Sequence, residues 1–179
     1  HFECCYYQAI DYAIAHGLAT VEAGFTLLEL MVTLAILGIL LGSALLGAFG
    51  GGPDPTRTVR ASAATLAVTA PRVLRNGEFF EIRVRIAANR AIARPVLAVS
   101  PGYWRHLTMN TMIPAPVGES FEDGEFRFEF EPLEAGKSLE LKIDGQINPA
   151  RLGSSSGMVR LLDDTAPLAE LPVHLRVLP

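Results

Sequence analysis

The spacing of hydrophobic and polar positions changes twice along the chain. From Phe2 to Val21 the apolar residues recur at intervals of three and four, which is the spacing of one face of a helix. From Leu30 to Phe49, twenty residues carry no formal charge, and at ~1.5 Å of rise each they cover the ~30 Å hydrocarbon core of a bilayer. Beyond Ala64 the pattern alternates, which predicts half-buried strands.

Alternation is clearest where Phe80, Ile82, Val84 and Ile86, and later Phe126, Phe128 and Phe130, are separated by charged residues. Further strand candidates are Leu66–Thr69, Val96–Ser100, Leu107–Ile113, Leu139–Ile143, Met158–Leu162 and Val173–Val177. Asn76-Gly77, Asp123-Gly124 and Asp144-Gly145 supply turn residues. Seven to nine short strands without a helix among them predict an antiparallel, immunoglobulin-like β-sandwich, so the fold class is mainly β. Trp104 is either a core aromatic residue of this sandwich or a loop residue.

These patterns divide the chain into four parts. We expect an amphipathic N-terminal helix or leader at residues 1–23 and a transmembrane helix at residues 24–49. Glycine and proline in series, from Gly50 to Pro55, end that helix and open a linker at residues 50–64. The β-sandwich domain then occupies residues 65–179.

The segment from Gly24 to Gly42, GFTLLELMVTLAILGILLG, resembles the N-terminal helix of type IV pilins and of the pseudopilins of type II secretion. The resemblance implies that a peptidase cuts between Gly24 and Phe25. It also implies that Glu29, five residues into the mature chain, pairs with the new N-terminal amine of a neighbouring subunit. A helix of this type directs the part of the chain that follows it across the membrane.

Two features depart from the pilin pattern and favour an anchor over a filament. Pilin leaders usually carry Lys or Arg just before the glycine, whereas residues 1–24 contain neither. Pilin helices continue as amphipathic helices well beyond the membrane, but this one meets Gly47 and then Gly50 to Gly52.

Small residues in the apolar segment are candidates for helix packing. Gly38 and Gly42 form a G-x-x-x-G pair, and Ser43 with Gly47 repeats the spacing. Such residues let helices approach closely in lipid, although small residues are also common in membrane helices in general.

Charge is divided unevenly along the chain. All 15 Lys and Arg lie after residue 54, while residues 1–54 carry five acids, which gives −5 for the first part and 15 − 14 = +1 for the rest. No basic stripe with interleaved aromatics is present, which argues against nucleic-acid binding. The polar face of the first helix is acidic and would be repelled by anionic lipid, so this helix either docks on another protein or is a loosely attached leader.

Four groups of residues could carry chemistry. Gly153-Ser154-Ser155-Ser156-Gly157 has the G-x-S-x-G spelling of a hydrolase nucleophile elbow, but we predict a serine-rich loop, because an elbow needs a strand before it and a helix after it. His106, Met109 and Met112 are weak candidates for copper ligands, because positions three apart on a strand point to opposite faces. Glu119, Glu122, Asp123 and Glu125 fit a solvated hairpin better than a calcium loop. Cys4 and Cys5 are interpreted as incidental.

The sequence therefore predicts a non-catalytic, single-pass accessory or structural subunit of a larger bacterial membrane complex, for example an energy-transducing, respiratory or photosynthetic one. Its partners would be other membrane protein subunits and the lipid bilayer, with no cofactor, nucleic acid or small-molecule substrate. The alternative is a minor pilin or pseudopilin cleaved after Gly24, and a third possibility is an extracytoplasmic copper-binding domain. We expect the inner membrane with a periplasmic C-terminal domain, although Arg57 and Arg60 after the anchor favour the cytoplasm by the positive-inside rule.

Overall fold

The computed structural model describes residues 8, 11–12, 14–16, 27–49, 52–148 and 152–179. Within the first 23 residues, the described ones from Gln8 to Ala15 are helical. The Tyr12 and His16 rings stack with centroids 4.0 Å apart, and His16 Nδ1 donates to the Tyr12 carbonyl at 2.8 Å. The rest of the predicted amphipathic face, both cysteines, Gly24 and Phe25 lie outside the described residues. By internal contacts the chain divides into residues 1–42 and 43–179.

Helix α1 (Leu27–Leu45) is the apolar segment that the sequence singles out. Leucine, alanine and methionine dominate it, and these residues have high helix propensity. No proline interrupts the segment before residue 53. The helix ends at Leu45, four residues before Phe49, the last residue of the predicted span.

The remainder is a two-sheet β-sandwich, which confirms the predicted fold class. Its strands are β1 (Thr56–Arg60), β2 (Ala64–Thr69), β3 (Val73–Arg75), β4 (Phe79–Ala88), β5 (Pro95–Val99), β6 (Thr108–Ile113), β7 (Gly118–Glu122), β8 (Glu125–Glu129), β9 (Ser138–Gln146), β10 (Gly153–Asp163) and β11 (Ala166–Leu178). One sheet has the order β1-β2-β4-β9-β6 and the other the order β3-β11-β10-β5-β8-β7. The Ile113–Pro114 peptide bond is cis.

The core lies between the two sheets and follows the alternation read from the sequence. Alternate residues of β4 and of β8 point inward, and Val84, Ile86 and Phe128 are buried. Trp104 belongs to this core: it lies in a one-turn helix, α2 (Pro101–Trp104), and packs edge-on against Phe128 with ring centroids 5.6 Å apart. The expectation that no helix interrupts the strands is therefore wrong at α2.

The predicted linker is too long, because β1 lies inside it. β1 pairs antiparallel with β2 from Thr56 opposite Thr69 to Arg60 opposite Thr65. Arg57 donates to the Pro172 carbonyl of the other sheet at 2.8 Å, and Val59 packs against the core. The strand is short, polar and at a sheet edge, so its sequence shows no extended apolar alternation.

Two other strands and one strand direction also differ from the prediction. β3 and β7 are not among the predicted strands, because they are edge strands of only three and five residues. β3 pairs with β11 in parallel, from Val73 opposite Arg176 to Arg75 opposite Leu178, so the sandwich is not wholly antiparallel. Strand direction follows from pairing across about a hundred residues, and no local pattern encodes it.

Of the turn dipeptides, Asp123-Gly124 joins β7 to β8 with φ values of 52° and 76°, as a two-residue hairpin requires. Asn76-Gly77 also lies in a turn, between β3 and β4. Asp144-Gly145, in contrast, lies inside β9, and the predicted turn is wrong. A Cβ at Gly145 would be 2.5 Å from Phe80 Cζ and 2.9 Å from the Thr108 carbonyl oxygen, so this glycine serves close packing.

The serine-rich segment is likewise a strand and not a loop. Gly153 to Gly157 opens β10 and pairs with β11, with Ser154 opposite Arg176 and Ser156 opposite His174. Ser155 points to the opposite face and is buried. No helix follows this strand among the described residues, so the nucleophile-elbow context is absent from them.

Candidate membrane anchor and adjoining groove

Helix α1 exposes apolar side chains all around its circumference. Residues Leu28–Leu45 have a mean hydropathy of 2.2, and none of that window is buried. Leu28, Leu34 and Leu40 are each more than half exposed, and they lie about 120° apart around the helix axis. A helix that is apolar on every side is stable only in a protein core or in a membrane. The helix is therefore a membrane anchor by length and composition.

The one acid of α1 lies in its first turn. Glu29 is placed where the partial positive charge of the helix N-terminus favours a carboxylate. Its carbonyl oxygen accepts a 2.7 Å hydrogen bond from the Thr33 hydroxyl, which provides that hydroxyl with a partner inside lipid.

The four small residues predicted to pack helices do not have the same role in the structure. A Cβ at Gly38 or Gly42 would meet no atom within 4 Å, so both glycines leave open space beside the helix. Ser43 is half-buried. Gly47 lies beyond the end of α1 and has a φ of 76°.

Gly47 caps α1 at its C-terminus. Its amide donates to the Ala44 carbonyl at 2.9 Å, and the next amide, of Ala48, donates to the Ser43 carbonyl at 2.9 Å. This pair of bonds is a Schellman motif, in which the left-handed residue is usually glycine. A Cβ on Gly47 would also be 3.0 Å from the Gly52 Cα, and one on Gly52 would be 2.9 Å from the Gly47 Cα. The chain therefore turns sharply where the anchor ends.

Beside this turn lies a groove of about 630 Å³. One wall is the segment after the anchor, residues 46–48 and 52–55, and the other is formed by β10, β11 and the start of β3. Its polar side chains come from Asp54, Arg72, Ser154, Ser156, His174 and Arg176. We call it the serine–arginine groove. Its size is within the range of ordinary ligand pockets.

The positions of the cationic residues in this groove follow from strand pairing. The Arg176 amide donates to the Arg72 carbonyl at 2.8 Å, which holds the start of β3 beside β11. Arg176 and His174 are exposed on β11 opposite Ser154 and Ser156, and side chains directly opposite on one face lie about 5 Å apart. Within the described residues, neither Arg72 nor Arg176 pairs with a carboxylate, whereas Arg83, Arg94 and Arg127 do.

Asp54 is the acidic member of the groove lining. Partial burial, together with the neighbouring carboxylates of Glu81 and Glu78, raises the pKa of Asp54 above its ordinary value, while Arg83 acts in the opposite direction. Burial also raises the pKa of the Tyr103 phenol, and the Asp54 charge adds to that effect.

The predicted copper ligands have a different role in the structure. An extra residue, Asn110, bulges from β6 between Met109 and Thr111. As a result, Met109 and Met112 both pack against the hydrophobic core, although regular spacing predicts opposite faces. Among the described residues no group of three or more His, Cys, Asp or Glu is placed to hold a metal ion.

The acidic run forms a hairpin end closed by arginine. Glu122 and Asp123 accept from Arg127 at 3.3 and 3.1 Å, and Glu125 accepts from Arg160 at 2.9 Å. Glu122 and Asp123 are exposed, as a solvated hairpin end predicts, whereas Glu125 is buried.

Sequence reasoning missed the serine–arginine groove altogether. Its residues come from four segments, which are separated in the chain by about 20, 80 and 20 residues. None of these segments predicts a binding site by itself. One signal was present in the sequence, the run Ser154 to Ser156. Because glycines flank this run, it was compared with an enzyme motif and not with a ligand-binding strand.

Comparison with known proteins identifies the N-terminal segment. The family model of the prokaryotic N-terminal methylation motif matches residues 20–45, which include Gly24, Phe25, Glu29 and all of α1. The resemblance to the prepilin-type helix is thereby confirmed. A second model, described as peptidoglycan biosynthesis/recognition, matches residues 1–26. No curated protein matches the chain.

Three solved structures share part of the backbone arrangement. The CARDB domain of a Pyrococcus furiosus protein, solved in complex with di-metal ions, has 12% identity and a TM-score of 0.39 over 66% of this chain and 97% of that one. A non-cellulosomal cohesin from Archaeoglobus fulgidus has 12% identity and a TM-score of 0.39 over 69% and 91%. The Pseudomonas fluorescens alkylpurine DNA glycosylase AlkC, bound to DNA with an abasic site analog, has 14% identity and a TM-score of 0.32 over 86% and 40%.

Proposed function

We propose that the chain is a minor pilin or pseudopilin, a non-catalytic subunit that is cleaved after Gly24 and assembles with other membrane subunits through α1. The observation that carries the proposal is the match of the methylation motif to residues 20–45, on a helix whose apolar surface is exposed all around. The sandwich would then lie on the periplasmic side of the inner membrane, where it contacts partners.

The chemistry of the segment suits assembly by lateral helix packing. Cleavage creates an amine at Phe25, and the Glu29 carboxylate is one helical turn away in sequence. In a membrane a carboxylate and an ammonium group of neighbouring subunits gain strongly from pairing, because either charge alone is costly there. Gly38 and Gly42 leave room beside α1 for a neighbouring helix to approach.

The test is the mature N-terminus and its dependence on Gly24. Mass spectrometry of the membrane-extracted chain should find Phe25 first, carrying one added methyl group. Gly24→Leu should abolish processing, whereas Gly17→Leu, a matched change in the same leader, should not. Glu29→Ala should be processed but excluded from the assembled fraction, and Glu29→Asp should recover part of the assembly. A wild-type chain that keeps its leader would contradict the proposal.

A second function is favoured by one observation. The Gly47 cap ends α1 at Leu45, which leaves a helix just long enough for the bilayer and no helical stalk directly after it. That geometry suits the accessory subunit of a larger membrane complex, anchored with its leader retained. In that case Gly24→Leu leaves co-purification with partner subunits unchanged, and Gly38→Leu, which fills the space beside α1, lowers it.

A further inference from the structure

The serine–arginine groove has the chemistry of an anion site beside a membrane. Arg72 and Arg176 supply guanidinium groups that have no carboxylate partner in the part of the chain that the structure describes. Ser154 and Ser156 supply hydroxyls on the adjoining strand. Planar guanidinium groups and hydroxyls are donors that match phosphate oxygens. The floor of the groove is the regular pair of strands β10 and β11, so the backbone positions of Ser154, Ser156 and Arg176 are fixed before a ligand arrives.

The chain itself holds the groove close to the end of the anchor. Leu46, Gly47 and Ala48 line the groove, and they are the three residues that follow Leu45. At ~3.8 Å between successive Cα atoms, these three residues are within about 12 Å of the last helical residue. When Leu28–Leu45 spans the hydrocarbon core, these residues lie at the depth of the lipid headgroups.

We infer that the serine–arginine groove binds the phosphate of an anionic membrane lipid headgroup. Arg72 and Arg176 hold the phosphate oxygens, and the hydroxyls of Ser154 and Ser156 complete the contact. Asp54, on the opposite wall, opposes the bound anion and limits its affinity. The inference requires the anchor to be in a membrane and does not require cleavage after Gly24.

The test uses the full chain in nanodiscs of equimolar phosphatidylcholine and phosphatidylglycerol, followed by extraction in mild detergent and native mass spectrometry. Wild-type protein should retain phosphatidylglycerol. Arg72→Gln/Arg176→Gln should lower retention roughly tenfold or more, since each cation near the surface contributes on the order of a fivefold change. Arg60→Gln/Arg90→Gln is the matched control, because the net charge change is identical. Arg60 ends β1, Arg90 lies two residues after β4, and neither lines the groove.

Two further variants separate the site from folding and from general surface charge. Asp54→Asn should raise retention severalfold, a gain that misfolding cannot produce. Ser154→Ala/Ser156→Ala should lower retention severalfold without changing charge. Equal losses in the groove and control pairs would show only general attraction to the bilayer and would overturn the inference.

A last arm identifies the source of the phosphate. Lipid-free protein in detergent is titrated with inorganic phosphate and followed by phosphorus NMR, and weak or no binding is expected. Phosphate binding as strong as lipid retention would assign the groove to a soluble ligand instead. The same mass spectra report whether the leader has been removed, so loss of lipid retention and failure of processing are read independently.

Discussion

Two arginines, Arg127 and Arg160, cover apolar residues on the outer face of the six-stranded sheet. Val96, Ala98 and Leu162 form a small buried cluster apart from the main core. Ala98 lies directly opposite Arg160 on one side and Arg127 on the other. The apolar stems of these arginines therefore cover Ala98 while their charged ends reach acids at the rim. The pair of Glu125 and Arg160 is part of this cover, and the Glu125 side chain is only 11% exposed.

This burial makes a prediction at the scale of one residue. Arg160→Met keeps the apolar stem but leaves Glu125 without its 2.9 Å partner, and we expect the free energy of unfolding to fall by about 1 to 3 kcal/mol. Arg94→Met is the control, because the Arg94–Asp164 pair is 69% and 50% exposed and should cost less than about 1 kcal/mol. Urea unfolding in mild detergent, followed by Trp104 fluorescence, measures both. Equal losses would contradict the assigned role of Glu125.

At the scale of elements, α1 is defined by two different kinds of residue. Its apolar composition sets where the helix can exist, and Gly47 sets where it ends. Gly42 and Gly47 look alike in the sequence, and both fit a small-residue spacing for helix packing. Backbone conformation separates them, because Gly47 is left-handed with a φ of 76° and Gly42 lies within the helix.

Alanine substitutions distinguish these two roles. Gly47→Ala should destabilise the turn by about 1 to 2 kcal/mol, because a Cβ is disfavoured at positive φ and would also press on Gly52. Thermal unfolding should then begin at a lower temperature. Gly42→Ala should leave unfolding unchanged but weaken helix association severalfold, measured by energy transfer between labelled chains in micelles. If Gly47→Ala weakened helix association and Gly42→Ala did not, Gly47 would belong to the helix-packing face, which contradicts these assignments.

For the whole molecule, the sandwich depends on contacts between distant segments. β1 seals one edge of its sheet, and Val59 and the bond from Arg57 to the Pro172 carbonyl tie this edge to the core and to the other sheet. The core cluster draws all its buried residues from the sandwich. A fragment that includes β1 therefore holds everything that the core requires.

Two fragments test this boundary. Residues 53–179 should be monodisperse and unfold cooperatively in urea. Residues 65–179, the domain predicted from sequence, should lose about 2 to 4 kcal/mol, because Val59 burial and the β1 backbone hydrogen bonds are removed. The shorter fragment also exposes the edge of β2, so gel filtration should show aggregation. Equal stability of the two fragments would mean that residues 56–60 do not stabilise the sandwich and belong to the linker.

The sequence by itself determined the features whose causes are local. An uninterrupted apolar run of twenty residues predicts a buried or membrane helix, so α1 could be predicted from its residues alone. Alternation in β4 and β8 fixed their inward faces, and Asp123-Gly124 fixed a turn because few residues accept positive φ at that place.

Only the tertiary structure decided what depends on distant partners. Edge strands such as β1 and β3 are too short to show an alternating pattern, and their assignment comes from the strand that they pair with. Gly145 resembles a turn residue until Phe80 and Thr108 are placed against it. The serine–arginine groove exists because pairing of β3, β10 and β11 brings separate polar segments together, and one of its walls begins with the residues that directly follow α1. Local sequence records the conformation that a segment prefers, but it does not record which distant segment will lie beside it.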